Sequence, residues 1–185
     1  ARFHPDGSLD WELPGPVGTE ARGVGVQPDG TIYVAGAKRT GINPERWDME
    51  LSVYGADKTA YGPIPYSDPD DDDNDRSERG RAVVVLKSGR VVILGTREIK
   101  GGDDKVITRG VALLFEGKGK FIGEWTSIGD KLEHDAILAA VATDEGFATC
   151  GYAQAPLNEP ESKKQILVRW HGEDLEEVEG PRLEG

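Results

Sequence analysis

Three times the chain runs from one apolar segment through a tight turn into a second apolar segment that closes on glycine. The stretches are VQPDGTIYVAG at 26–36, LKSGRVVILG at 86–95 and ATDEGFATCG at 142–151, the last one residue shorter. Their closing glycines, Gly36, Gly95 and Gly151, lie 59 and 56 residues apart. A regular recurrence of this kind constrains the fold more than any single motif, because each copy must be one structural unit that packs on the next. The turn chemistry is explicit in the first copy. Pro28 presets φ for the first corner, Asp29 takes the second, and Gly30 supplies the left-handed residue that closes a three-residue hairpin loop with a bulge. His4-Pro5-Asp6-Gly7 repeats that order near the start.

Between the glycines and prolines lie runs of four to seven residues rich in Val, Ile, Leu and aromatics, which read as strands. They are 23–27, 31–37, 49–54, 59–65, 81–87, 90–96, 110–115, 138–143, 147–152 and 165–170. The segment KLEHDAILAAVATDEG at 131–146 has helix-favouring Ala and Leu, but the repeat places a strand at 138–143. A second series is aromatic: Phe3, Tyr54, Phe115 and Trp170, each at a strand end before a tight turn.

Four short strands in a period of about 57 residues are a mark of a β-propeller blade. Labelled A to D from the axis outward, strand A carries Gly23 and Gly25, then Ala82, then Ala139 and Ala140. Blades crowd together at the axis, so small side chains belong there. The chain then reads as a single domain over 1–185: an outer half blade at 1–15, and blades at 19–65, 79–127 and 136–180. The alternative is a β-sandwich whose similarities are accidental. About three blades fall short of a common closed ring. The expectation is therefore a segment of a larger propeller, or one completed by another copy or chain through its end blades, with an apolar face exposed otherwise.

The residues GVGVQPDGTIYVAG followed by DMELSVYGADKTAY resemble the bacterial β-propeller repeats of the delta-60 and SBBP type. The first repeat matches well. In the later two the turn Asp is replaced by Ser88 and Glu145, and Lys58 stands where a second turn glycine belongs. The resemblance covers nearly the whole chain and implies a propeller fold in an exported, periplasmic or cell-surface protein. It implies no shared catalytic residues.

Charge narrows the partners. With 22 Lys and Arg against 34 Asp and Glu the net charge is -12, a poor basis for binding nucleic acid or an anionic membrane surface. Mean hydropathy is -0.50, and no apolar run is long enough to insert in a bilayer. The start at Ala1, without an initiator Met, is what a processed segment would show. Cys150 is the one cysteine and reads as a buried small apolar residue.

Alternating strand direction puts the A–B and C–D turns on one face and every long connection on the other: 38–47, 66–79, 97–109, 126–136 and 153–164. Binding residues are expected on such loops. Trp47, beside Arg46, is the candidate exposed contact residue for a protein or glycan. The acidic run SDPDDDDNDRSE offers Asp68, Asp70, Asp72 and Asn74 as alternate oxygen ligands for calcium, although the spacing fails the EF-hand template; a solvated loop is the plainer reading. Arg22, Arg81, His134 and Asp135 lead into strand A and could ring the mouth of the axis to bind an anion, or form salt bridges with Glu20, Glu78 and their neighbours. His4 and His171 read as matching turn residues, and no nucleophile elbow, zinc spacing or phosphate loop is present. Two functions follow as expectations. One is a non-enzymatic binding or scaffold propeller without a cofactor; the other is a propeller hydrolase or lyase with an axial site, possible with calcium.

Overall fold

The computed structural model describes residues 1–12, 15, 17–42, 45–66, 77–100, 106–127, 134–154 and 164–179. Within them the chain is all-β, with one 3-10 turn at Gly117–Gly119. A leading hairpin pairs β1 (Arg2–Phe3) with β2 (Leu9–Trp11). A first four-stranded unit follows: β3 (Thr19–Val26), β4 (Ile32–Ile42), β5 (Glu45–Tyr54) and β6 (Ile64–Pro65). The second unit is β7 (Ser77–Val85), β8 (Val91–Lys100), β9 (Val106–Glu116) and β10 (Lys120–Thr126). The third is β11 (His134–Ala142), β12 (Gly146–Gln154), β13 (Lys164–Gly172) and β14 (Glu177–Val178). Each unit is an antiparallel meander in chain order. The second and third join into one eight-stranded sheet through a single parallel pairing of His134 with Thr108.

Equivalent positions follow from register. Opposite Gly36, Gly95 and Gly151 the inner strand of each unit bulges, at residues 22, 81 and 138. A Cβ on any of the three glycines would fall on a carbonyl oxygen of that inner strand, Glu20, Arg79 or Ala136. The glycine therefore admits the bulge, which re-aims the strand. The A–B turn is as the sequence predicts: Gly30 has φ +87°, its N–H donates to the Gln27 carbonyl at 2.9 Å, and Asp29 Oδ1 accepts from Thr31 N at 2.8 Å.

The units stack back to front. The back of the first unit (Tyr33, Ala35, Met49, Leu51, Val53) packs on the front of the second (Val91, Ile93, Val111, Leu113, Phe115). The back of the second (Val84, Val92, Leu94, Ala112, Leu114) meets Ile137 and Phe147 of the third. The inner strands of the first two units approach closely. A Cβ on Gly23 would lie 2.7 Å from the Ala82 Cα, and one on Gly25 2.8 Å from a Val83 methyl. Glycine there removes the atom that would hold β3 and β7 apart.

Some expectations are corrected. Residues 138–142 belong to strand β11, as the repeat requires, while Thr143, expected in the strand, lies just beyond its end. The expected B–C loops at 38–47 and 97–109 are largely strand, because β4, β5, β8 and β9 extend through polar residues into long hairpins. The fourth strand of the first unit, expected over 59–65, is reduced to β6 and one bridge between Tyr54 and Ala60. Register also shifts the aromatic series by one. His171, not Trp170, is the residue equivalent to Tyr54 and Phe115. Cys150 is exposed rather than buried, because it lies on the back of the third unit, which nothing covers among the described residues.

Candidate functional site

Among the described residues no hydrogen bond or ion pair joins Arg22, Arg81, His134 and Asp135 to one another. Arg22 stands on its bulge, exposed, and its guanidinium donates to Glu20 at 2.6 Å, the salt bridge the sequence offered as the alternative. Arg81 occupies the matching bulge, with Nε buried and no hydrogen-bond partner among the described residues. The third bulge residue is Leu138, so His134 and Asp135 are not equivalent to the two arginines. His134 Nδ1 accepts from Thr108 N at 3.2 Å, which secures the seam between β9 and β11. Asp135 is fully buried. Its Oδ1 accepts from Gly110 N at 2.9 Å and from the Ser127 hydroxyl at 2.6 Å, and its Oδ2 meets Arg169 at 3.2 Å. Three partners on the segments around it make this carboxylate a clamp between the second and third units.

Trp47 is buried at 8% exposure in β5, not displayed on a loop. Arg79 of the second unit lies over its ring at 4.7 Å, so the tryptophan seals a junction through a cation–π contact. Arg46 beside it is half-buried and engaged. Asp68, Asp70, Asp72 and Asn74 lie outside the described residues. Among the described residues no group of three or more His, Cys, Asp or Glu is placed to hold a metal, and no helix is long and apolar enough to cross a membrane.

Sequence reasoning missed a polar cluster between the first and second units. Arg97 on β8 donates to Glu78 at 2.7 Å, to Glu124 at 3.2 and 3.3 Å, to Tyr66 at 3.3 Å and to Thr126 at 3.4 Å. The Tyr66 hydroxyl donates to Glu124, and burial, reinforced by that carboxylate, pushes the phenol well up. A buried guanidinium of this kind survives desolvation only because two carboxylates and two hydroxyls surround it. Glu78 and Asp135 occupy equivalent positions on β7 and β11, and each answers an arginine. That equivalence was the available signal, visible once the bulges set the register.

Two depressions remain. The first, of about 730 Å³, is lined by the A–B turns of all three units, including Gln27, Pro28, Leu86, Lys87, Thr143 and Asp144. Adjacent turns are tied together: Gln27 Nε2 donates to the Gly89 carbonyl at 2.7 Å, and Lys87 pairs with Asp144 at 2.8 Å. The second is a cleft of about 290 Å³ on the front of the first unit. Its floor is Val24, Ile32 and Val34, and its wall includes Trp11, Tyr54, Ser52 and Glu50. Burial pushes the Glu50 carboxyl up, which contacts with Ser52 and the charge of Lys38 only partly oppose. Within the cleft the Ser52 hydroxyl donates to Glu50 Oε1 at 3.4 Å. No protein-family model matches the chain, and no curated protein matches it either.

Proposed function

We propose that this chain is a non-enzymatic binding or scaffold segment of β-propeller type, of the kind its delta-60 and SBBP-like repeats suggest. In that reading the three units are blades that fan about a common line, and the protein is exported. The observation that carries it is the meeting of all three A–B turns around one depression, with glycine and alanine where the inner strands approach. Units stacked flat would space their turns evenly and would not need small residues on the inner strands alone. Of the charged groups expected at the axis, Arg22, His134 and Asp135 are engaged in structural contacts, which favours a scaffold over an axial hydrolase or lyase.

A rigid fan serves to hold its connections in fixed relation. The partner is a protein or glycan that engages the face opposite the A–B turns, where β4, β5, β8 and β9 extend into long hairpins. A glycan array probed with the intact chain, and with the variants Arg39→Ala and Glu98→Ala on the exposed surface of those hairpins, tests this. Binding lost with an unchanged melting temperature is the expected result. Binding that ignores both replacements, or turnover of the arrayed glycan, contradicts it.

A further inference from the structure

The cleft on the front of the first unit differs from the other unit fronts in one respect: its inner half is uncovered. On the second unit the equivalent positions, Val83, Val85, Val91 and Ile93, lie beneath β3 and β4. On the first unit Val24 is 66% exposed and Val26 59% exposed. Only the outer half is covered, where Trp11 of the leading hairpin meets Tyr54 at 6.3 Å between ring centres. By register β1 and β2 correspond to the third and fourth strands of a unit, since the turn after Phe3 matches those after Tyr54 and His171. Their first and second strands have no counterpart among the described residues, and β1 pairs only with β2.

Two polar atoms mark the same gap. Glu50 is 5% exposed and its Oε2 has no hydrogen-bond partner among the described residues; the buried Trp11 Nε1–H likewise has none. Both residues line the cleft. A buried acceptor and a buried donor left unmade both destabilise the fold, and a ligand that answers them relieves that loss.

We infer that this cleft is an acceptor site for a β-hairpin of a partner polypeptide, which pairs with the free edge of β1 and brings a hydrogen-bond donor to Glu50. The site sets the hairpin's chemistry. Its inner strand carries glycine or alanine at alternate positions, because Val24 and Val26 need the room that Gly25 gives Val83 and Val85. Its second strand is apolar on the face that meets Ile32 and Val34, as Tyr33 and Ala35 are at the next junction. The donor is a lysine, arginine or amide, suited to a cleft walled by Glu50 and Glu20. Main-chain pairing along β1 supplies affinity and the alternating side chains supply selectivity.

This inference rests on the stacking described above and on the blade reading of the leading hairpin. A peptide with the sequence of residues 19–38, which is itself such a hairpin, is the probe. It is titrated into the full chain and followed by amide and indole NMR signals. Expected are shifts confined to β1, Val24, Val26, Glu50 and the Trp11 indole. Val24→Glu in the chain, or valine at positions 23 and 25 of the peptide, weakens the affinity by about tenfold or more. Either no shift at millimolar peptide or equal binding by the Val24→Glu chain overturns the site. So does a cleft already protected, in a concentration-dependent way, by a second copy. Failure here, with the blades shown by other means to fan, removes the acceptor site and leaves the proposed function standing.

Discussion

His171 shows how one residue can turn a structural position into a titrating one. Its equivalents in the other units are Tyr54 and Phe115. It keeps the core place of Phe115, stacked on Phe147 at 4.8 Å and edge-on to Trp125 at 4.8 Å. Burial pulls its pKa down, outweighing the Leu175 carbonyl and the Glu177 charge, which act upward. A histidine whose folded pKa lies below its unfolded value stabilises the fold fully above the unfolded value, near 6.5, and loses that contribution as pH falls through it. The expected outcome is a melting temperature that falls between pH 7 and pH 5 in the parent and falls less in His171→Phe. Equal slopes in the two proteins would show that the imidazole is free to charge in place. The one-residue slip in the aromatic series explains why sequence reading put His171 in a turn. Trp170, the aromatic residue just before His171, was the natural match by type, and only the pairing of Phe147 with His171, as of Ile32 with Tyr54 and Val91 with Phe115, shows which of the two faces the front.

At the scale of the element, the recurring device is a bulge opposed by glycine. Gly36, Gly95 and Gly151 were legible from spacing alone, and so was the strand at 138–142, because the repeat overrides the helix preference of its alanines. The bulges themselves were not legible, since nothing in the side chains at 22, 81 and 138, two arginines and a leucine, announces an extra residue. The hairpin extensions beyond 37 and 96 were missed because Lys38, Arg39, Thr40 and Arg97 look like loop residues. They hold a strand through ladder pairing and through contacts of the strands they lengthen: Trp47, opposite Arg39, meets Arg79 of the second unit, and Arg97 meets Glu78 within its own unit. Gly95→Ala tests the device. Its methyl would strike the Arg79 carbonyl in a strand buried on both faces, so a loss of about 1–3 kcal/mol is expected in urea unfolding. Gly123→Ala, which meets nothing within 4 Å, serves as the control and is expected to change stability by less than about 0.5 kcal/mol. Equal losses in the two variants would mean that the opposing carbonyl moves aside at little cost.

At the scale of the whole molecule, the two ends are unfinished in different ways. The back of the third unit exposes Ile166 at 89%, with Val141, Val168 and Cys150, although the residues equivalent to Ile166 and Val168, Met49 and Leu51 of the first unit, are fully buried. The front of the first unit leaves its inner half open. Sequence reasoning foresaw exposed ends from the strand count, but not the unmatched Glu50 and Trp11, which are visible only once the cleft has walls. The central claim is that the units fan from a shared inner line, and paired spin labels test it most directly. With Cys150 replaced by Ser, one protein carries labels at Pro28 and Glu145, in the inner turns of the first and third units. A second carries them at Ala56 and Asp174, in the outer turns of the same units. Fanned units give an inner separation clearly shorter than the outer one; equal separations would mean parallel stacking and would contradict the account.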